Sequence, residues 1–244
     1  MGSAAQKLLE QYYGYQSFRA GQEEIIANIL EHTDSVCIMP TGGGKSICFQ
    51  IPALLLPGTT LVISPLISLM KDQVDGLGSL GIPATFINSS LGQKEITKRL
   101  AEAGDGRYKL LYIAPERMES KEFRALFDSL TISFLAVDEA HCISQWGHDF
   151  RPSYLAIPAL LQELPARPVV AAFTATATPE VTEDIIRLLK LKKPRVYISG
   201  FDRPNLYFTV ERGVNKKDFL LAYLAQNQKQ AGIIYAATRK EVDG

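Results

Sequence analysis

Seven residues, Pro40-Thr41-Gly42-Gly43-Gly44-Lys45-Ser46, constrain what this chain can fold into more than any other stretch. They sit between an apolar run, Val36 to Met39, and a helix-forming run, Ile47 to Leu56. Three consecutive glycines let the backbone turn its N–H groups toward an anion and approach it closely. A helix beginning at Lys45 adds the positive end of its dipole. In such a loop Lys45 reaches the β- and γ-phosphates of a nucleotide, and the Ser46 hydroxyl is a ligand for Mg²⁺. The strict form of the pattern has glycine where Met39 stands, so this is its looser version.

The runs on either side predict the architecture. Thr60 to Ile63, Ala84 to Ile87, Leu110 to Ile113, Phe134 to Val137 and Val169 to Phe173 are short apolar runs of buried-strand type. Between them lie helical patterns over Leu66 to Leu80, Gln93 to Ala103 and Pro179 to Leu189, with Thr178-Pro179 as a helix start. Strands alternating with helices imply βαβ units: an α/β fold with a mostly parallel sheet and helices on both faces. Ligands in such sheets sit outside the carboxyl ends of the strands. Ser64-Pro65, Lys71 and Pro115-Glu116-Arg117 therefore share an edge with the glycine loop. Ahead of it, helices are expected over Ala5 to Tyr13 and Ala20 to Glu31; after Leu189, strands over Arg195 to Ser199, Tyr207 to Val210 and Gly232 to Tyr235, with a helix over Asn215 to Ala225.

Asp138-Glu139-Ala140-His141 arrives at the same edge. Two adjacent carboxylates at a buried strand end need positive charge nearby, which nucleotide-bound Mg²⁺ supplies. Asp138 then holds the metal, through water, and Glu139 orients and deprotonates the attacking water. Thr174 and Thr176, at the exit of another strand, are small hydroxyl residues able to hydrogen-bond the carboxylates. Upstream, Tyr15 to Gln22 combines aromatic, cation and amide: either an adenine-reading segment, with Gln22 bonding the base edge, or an exposed cap over a buried aromatic. From Cys142 to Tyr154 the chain carries its only tryptophan, Trp146, with His148, Phe150 and Arg151. Aromatics and arginine beside an ATP site suit stacking on nucleic-acid bases. Trp146 as a core anchor, and zinc on His141, Cys142 and His148, are the competing readings.

Charge and cysteine content limit the partners. Lys plus Arg and Asp plus Glu are 26 each, so no global field attracts a polyanion and any such partner is held by a local groove. The three cysteines show no C-x-x-C spacing, as in reduced, cytosolic-type proteins. No apolar run approaches the roughly 18 residues of a membrane span, so no membrane partner is expected. Met1-Gly2-Ser3 resembles a cloning remnant.

In this order the motifs resemble the amino-terminal half of the RecQ family of superfamily 2 DNA helicases, over nearly the whole chain. Phe18-Arg19-x-x-Gln22 is similar to the family's adenine-reading motif, Met39 to Ser46 to its Walker A, and Asp138 to His141 to its Walker B. Ile143 to Tyr154 resembles its aromatic-rich loop, and Thr174-Ala175-Thr176 the motif joining hydrolysis to unwinding. The resemblance implies a RecA-like P-loop NTPase lobe using ATP and Mg²⁺. It implies catalytic roles for Lys45, Asp138, Glu139 and His141, and nucleotide contacts from Phe18, Arg19, Gln22 and Thr41 to Ser46. Trp146, His148, Phe150, Arg151, Thr174 and Thr176 would couple to DNA. It further implies 3′-to-5′ movement on single-stranded and branched DNA, in the bacterial cytoplasm at the nucleoid or in a eukaryotic nucleus. The first lobe is expected over residues 1–205, and the linker and start of a second RecA-like lobe over 206–244. The rest of that lobe, with its arginine finger, is missing, so the chain is expected to be a fragment that binds ATP but turns it over slowly. A nucleotide- and DNA-binding module is the alternative. A metabolic P-loop kinase would need a lid and an acceptor pocket, and the Asp-Glu-Ala-His box argues against it.

Overall fold

A strand buried on both faces has no polar side to show, and all the sheet strands here but the last, at an edge, are of that kind. The computed structural model describes residues 3–126, 129–200 and 206–238. It contains β1 (Ser35–Ile38), β2 (Thr59–Ile63), β3 (Ala84–Ile87), β4 (Leu110–Ile113), β5 (Ile132–Val137), β6 (Val169–Thr174) and β7 (Arg195–Ile198). They form one seven-stranded sheet of order β3-β4-β2-β5-β6-β1-β7, every described pairing parallel. Its crossovers are α3 (Lys45–Leu55), α4 (Ile67–Ser79), α5 (Gln93–Gly104), α6 (Lys121–Arg124), α7 (Ile157–Glu163) and α8 (Pro179–Leu188). Two further helices, α1 (Ala4–Tyr13) and α2 (Gln22–Leu30), precede β1.

Successive residues of a strand point to opposite faces, so each strand from β1 to β6 feeds two cores. Val36, Leu61, Leu111, Leu135 and Val170 join the core beneath α5, α7 and α8. Their neighbours Cys37, Val62, Tyr112, Ala136 and Ala171 join the core beneath α2, α3 and α4. The helices lie on both faces, as the alternation of elements requires. A third, smaller cluster of Ala5, Leu9, Ile26 and Ile51 seats α1 on α2 and α3.

At the amino ends of the strands one carboxylate ties three segments together. Asp34 is 2% exposed and accepts from both terminal nitrogens of Arg167 (3.2 and 2.5 Å), from Val170 N (2.9 Å) and from Lys192 N (2.7 Å). The opposite, carboxyl ends are where β1, β2, β4, β5 and β6 deliver Pro40, Ser64, Pro115, Asp138 and Thr174.

The chain divides into two units, Met1–Phe201 and Asp202–Gly244. In the second, α9 (Lys216–Gln226) is capped by the Asn215 side chain, and its described residues are exposed or half-buried. The strands expected at Tyr207 to Val210 and Gly232 to Tyr235 are absent: both segments are irregular and exposed. Four apolar residues make a strand only where a neighbour completes the ladder, and no described strand pairs with either. Phe201 to Asn205, Arg239 and the first two residues lie outside the described residues.

Candidate active site

The phosphate loop is shaped by backbone that only glycine adopts readily. Gly42 and Gly44 have φ of +77° and +85°, and a Cβ on Gly44 would overlap the Gln22 amide. Gly44 caps α3, whose first two residues are Lys45 and Ser46, both half-buried. The Lys45 ammonium donates to Met39 O at 3.1 Å, so it rests on the first carbonyl of the loop it serves. Thr41 and Gly42 are exposed, and Gly43 N donates to Pro40 O at 2.9 Å.

The segment before α2 is tied to this loop. Arg19 Nη1 donates to Gly42 O at 2.7 Å, and Gln22 Nε2 donates to Gly44 O at 3.0 Å while its Oε1 accepts from Arg19 N at 2.9 Å. Gln22 is only 2% exposed, so in this conformation its amide braces the loop instead of presenting a free edge to a base. Phe18, half-buried, packs against the α1–α2–α3 cluster. The exposed aromatic of the segment is Tyr15.

Strand β5 ends at Val137 and delivers the two carboxylates. Asp138 Oδ1 accepts from Glu139 N at 3.0 Å and Oδ2 from Ser64 Oγ at 3.3 Å. Burial, then the charge of Glu139, raises Asp138 to about 6. Glu139 adopts a left-handed backbone, φ 45°, a strain that costs about 1–3 kcal/mol and is sustained where surrounding structure holds it. Here Tyr154 Oη donates to Asp138 O at 2.8 Å and Cys142 N to Glu139 O at 2.9 Å.

His141 connects this pair to β6. Its Nδ1 lies 2.8 Å from Thr174 Oγ1 and 3.4 Å from Glu139 Oε2. With the Thr174 hydroxyl proton directed at Thr176 O (3.0 Å), His141 Nδ1 is assigned as the donor. Burial, then the neighbouring His148, lowers His141 to about 4, so it is neutral at pH 7. The His148 ring stacks on it, centroids 4.1 Å apart, and His148 Nδ1 meets Thr176 Oγ1 at 3.4 Å. Parallel stacking does not converge two imidazoles on a cation. Among the described residues no group of three or more His, Cys, Asp or Glu is arranged to hold a metal ion.

The aromatic loop is pinned at its base and open at its tip. Ser144 Oγ donates to Asp184 Oδ2 of α8 at 2.7 Å and accepts from Trp146 N at 3.1 Å. Gly147 packs so tightly on His141 O that any Cβ there would overlap it. Arg151 bonds Asp149 Oδ2 (2.8 Å) and Pro65 O (3.1 Å), and Phe150 is half-buried. Trp146 is 80% exposed, which closes the core-anchor alternative. Asp184 and Tyr154 received no role from sequence: their partners are 40 and 16 residues distant, and no local pattern points to them.

Thr41, Pro65, Glu139, His141, His148 and Thr176 face one cleft of about 330 Å³. The glycine loop with its lysine, and the half-buried carboxylate pair whose Glu139 faces Thr41 in this cleft, fit a nucleotide phosphate with a divalent cation. The Asp138 carboxyl, held up by burial and by Glu139, is the group that such a cation would stabilise in its charged form.

A family model described as DEAD/DEAH box helicase matches residues 19–185. The chain is 55% identical over 240 residues to the ATP-dependent DNA helicase RecQ of Bacillus subtilis (strain 168), covering 98% of this chain and 41% of that protein. It is 46% identical over 242 residues to the RecQ of Haemophilus influenzae, covering 98% and 38%. The chain thus spans about two fifths of the length of these relatives. In structure it is similar to the DUF1998 helicase MrfA, with a TM-score of 0.75 at 17% identity over all of this chain and 40% of the other, a likeness of fold. With a helicase family model over most of its length, RecQ helicases as its relatives and a helicase fold, the chain belongs to the DEAD/DEAH box helicase family.

Proposed function

We propose that these residues form the nucleotide-binding motor lobe of a RecQ-type ATP-dependent DNA helicase. The observation that carries this reading is the cleft in which Thr41 of the phosphate loop faces Glu139 and His141. The N–H groups of Thr41 to Ser46 and the Lys45 ammonium bind the ATP phosphates, and Ser46 and Asp138 are the residues that would hold Mg²⁺. Bound Mg²⁺ would supply the positive charge and polarise the phosphoryl group. Glu139 takes the proton from the attacking water, and the neutral His141, donating from Nδ1, keeps Glu139 and Thr174 in register. Single-stranded and branched DNA is contacted by Trp146 and Phe150, with Arg151, His148, Thr174 and Thr176 passing that contact to the carboxylates. Movement 3′-to-5′, and a setting at the nucleoid or in a nucleus, rest on the resemblance to RecQ.

A second reading, a binding module with little turnover, is favoured by one observation: among the described residues that line the cleft there is no arginine or lysine. We infer that a second RecA-like lobe supplies the missing cation, an arginine worth about 10³–10⁵ in rate. Steady-state ATPase of the chain with and without single-stranded DNA tests this. Nucleotide binding with very slow turnover is the expected result, and failure to bind MgATP at all would sink the motor-lobe reading.

A further inference from the structure

Gln50 lies one helical turn beyond Ser46 on α3, 5% exposed, beside Phe49 and Ala53 of the apolar layer beneath α2, α3 and α4. Its amide is a meeting point of four elements. Oε1 accepts from Tyr13 Oη of α1 at 2.8 Å, and Nε2 donates to Gln73 Oε1 of α4 at 2.9 Å and to Tyr112 Oη of β4 at 3.4 Å. Burial holds Tyr13 and Tyr112 as neutral phenols, so the network carries no formal charge.

Hydrogen bonds to the Gln50 amide resist displacement because Gln50 and Tyr112 are buried and would lose a partner without gaining water, while the half-buried Tyr13 and Gln73 tie that buried pair to α1 and α4. The network therefore holds α1, α3, α4 and β4 in one register; α3 and α4 begin beside the site, and α1 and β4 are followed by segments of the same edge. The α1 helix runs into Tyr15 to Gln22, and α3 begins with Lys45 and Ser46. The α4 helix is entered from Ser64 and Pro65, which bond Asp138 and Arg151, and β4 leads to Pro115 to Arg117.

We propose that Gln50 is a positioning residue that couples occupancy of the phosphate loop to the nucleic-acid side of the site, by fixing α3 against α4 through Gln73. This rests on the motor-lobe reading. Its measure is the factor by which single-stranded DNA changes affinity for nucleotide, and that factor must be the same in the reverse direction.

The test uses the whole chain, a non-hydrolysable magnesium-ATP analogue and oligothymidylate, each titrated with and without the other. The parent should show a coupling factor of about 5 or more. Gln50→Met keeps the volume and removes the hydrogen bonds; it should bring the factor close to one while analogue affinity without DNA shifts less than about twofold. Gln73→Met should do the same, and the double variant should be no worse than either single one. Phe49→Leu, an apolar neighbour outside the network, should lower the melting temperature and keep the factor. A folded Gln50→Met with the parental factor overturns the proposal, as does Phe49→Leu losing it equally. Should Gln50→Met not fold, Gln73→Met, at a half-buried position, decides alone. A parent that binds neither ligand sinks the motor-lobe reading instead, whereas one that binds both with a factor of one sinks only the coupling.

Discussion

Glu139 combines three conditions: a left-handed backbone, a half-buried acidic neighbour and an imidazole 3.4 Å away. Replacing it by glutamine keeps shape and hydrogen bonding and removes the basic oxygen. MgATP should still bind to Glu139→Gln while hydrolysis, assayed with the second lobe present, drops by about 10² or more. Equal turnover would assign the base elsewhere. Trp146 is separable from the fold because its ring is in solvent. Trp146→Ala should leave the melting temperature within error and weaken single-stranded DNA binding by about 1–3 kcal/mol in fluorescence titrations.

The two titrating neighbours act in opposite directions. Asp138 is raised to about 6, so the native state binds its proton more readily than the unfolded chain, and stability from this group is lost as pH rises through about 6. His141 is lowered to about 4; the unfolded chain binds its proton first, and stability is lost as pH falls from about 6.5 to about 4. Asp138→Asn removes the first contribution and leaves the second. Its melting temperature should therefore fall more steeply than the parent's on acidification from pH 6 to 4.

How much of this was legible in the sequence depends on whether the signal was local. The strands from β1 to β6 were legible because burial on both faces leaves continuous apolar runs, and the glycine loop because left-handed backbone and close packing call for that residue. At Tyr207 to Val210 and Gly232 to Tyr235 similar runs have no described ladder partner, and composition does not reveal that. The closeness of Gln22 to the glycine loop was legible, but its choice of the Gly44 carbonyl was not, since an amide serves a base or a backbone equally well. Nothing local marks Asp34 either, as its partners lie 133 to 158 residues away. Asp34→Ala would leave Arg167 and two backbone N–H groups without their acceptor, and chemical denaturation should show a loss of about 3–5 kcal/mol. A cost below about 1 kcal/mol would mean that water replaces the carboxylate there.

For the molecule as a whole, under the proposed motor-lobe reading, nucleotide binding lies in these residues and part of turnover falls to a second lobe. Adding the second RecA-like lobe of a RecQ relative, fused or as a separate chain, should raise ATPase by about 10³ or more and make it respond to DNA. Robust turnover by the 244 residues alone would place a catalytic cation within this chain.

Because all the described strands run the same way, Asp34 and the nucleotide cleft sit at opposite ends of them. That polarity sets a gradient of compliance. Amides at the tied end, Val170 and Lys192, should exchange with deuterium only on global opening, whereas those of Gln145 to Asp149 should exchange through local fluctuation. Ligand occupancy should then slow exchange at the cleft end alone, leaving the tied end at the rate set by the whole fold.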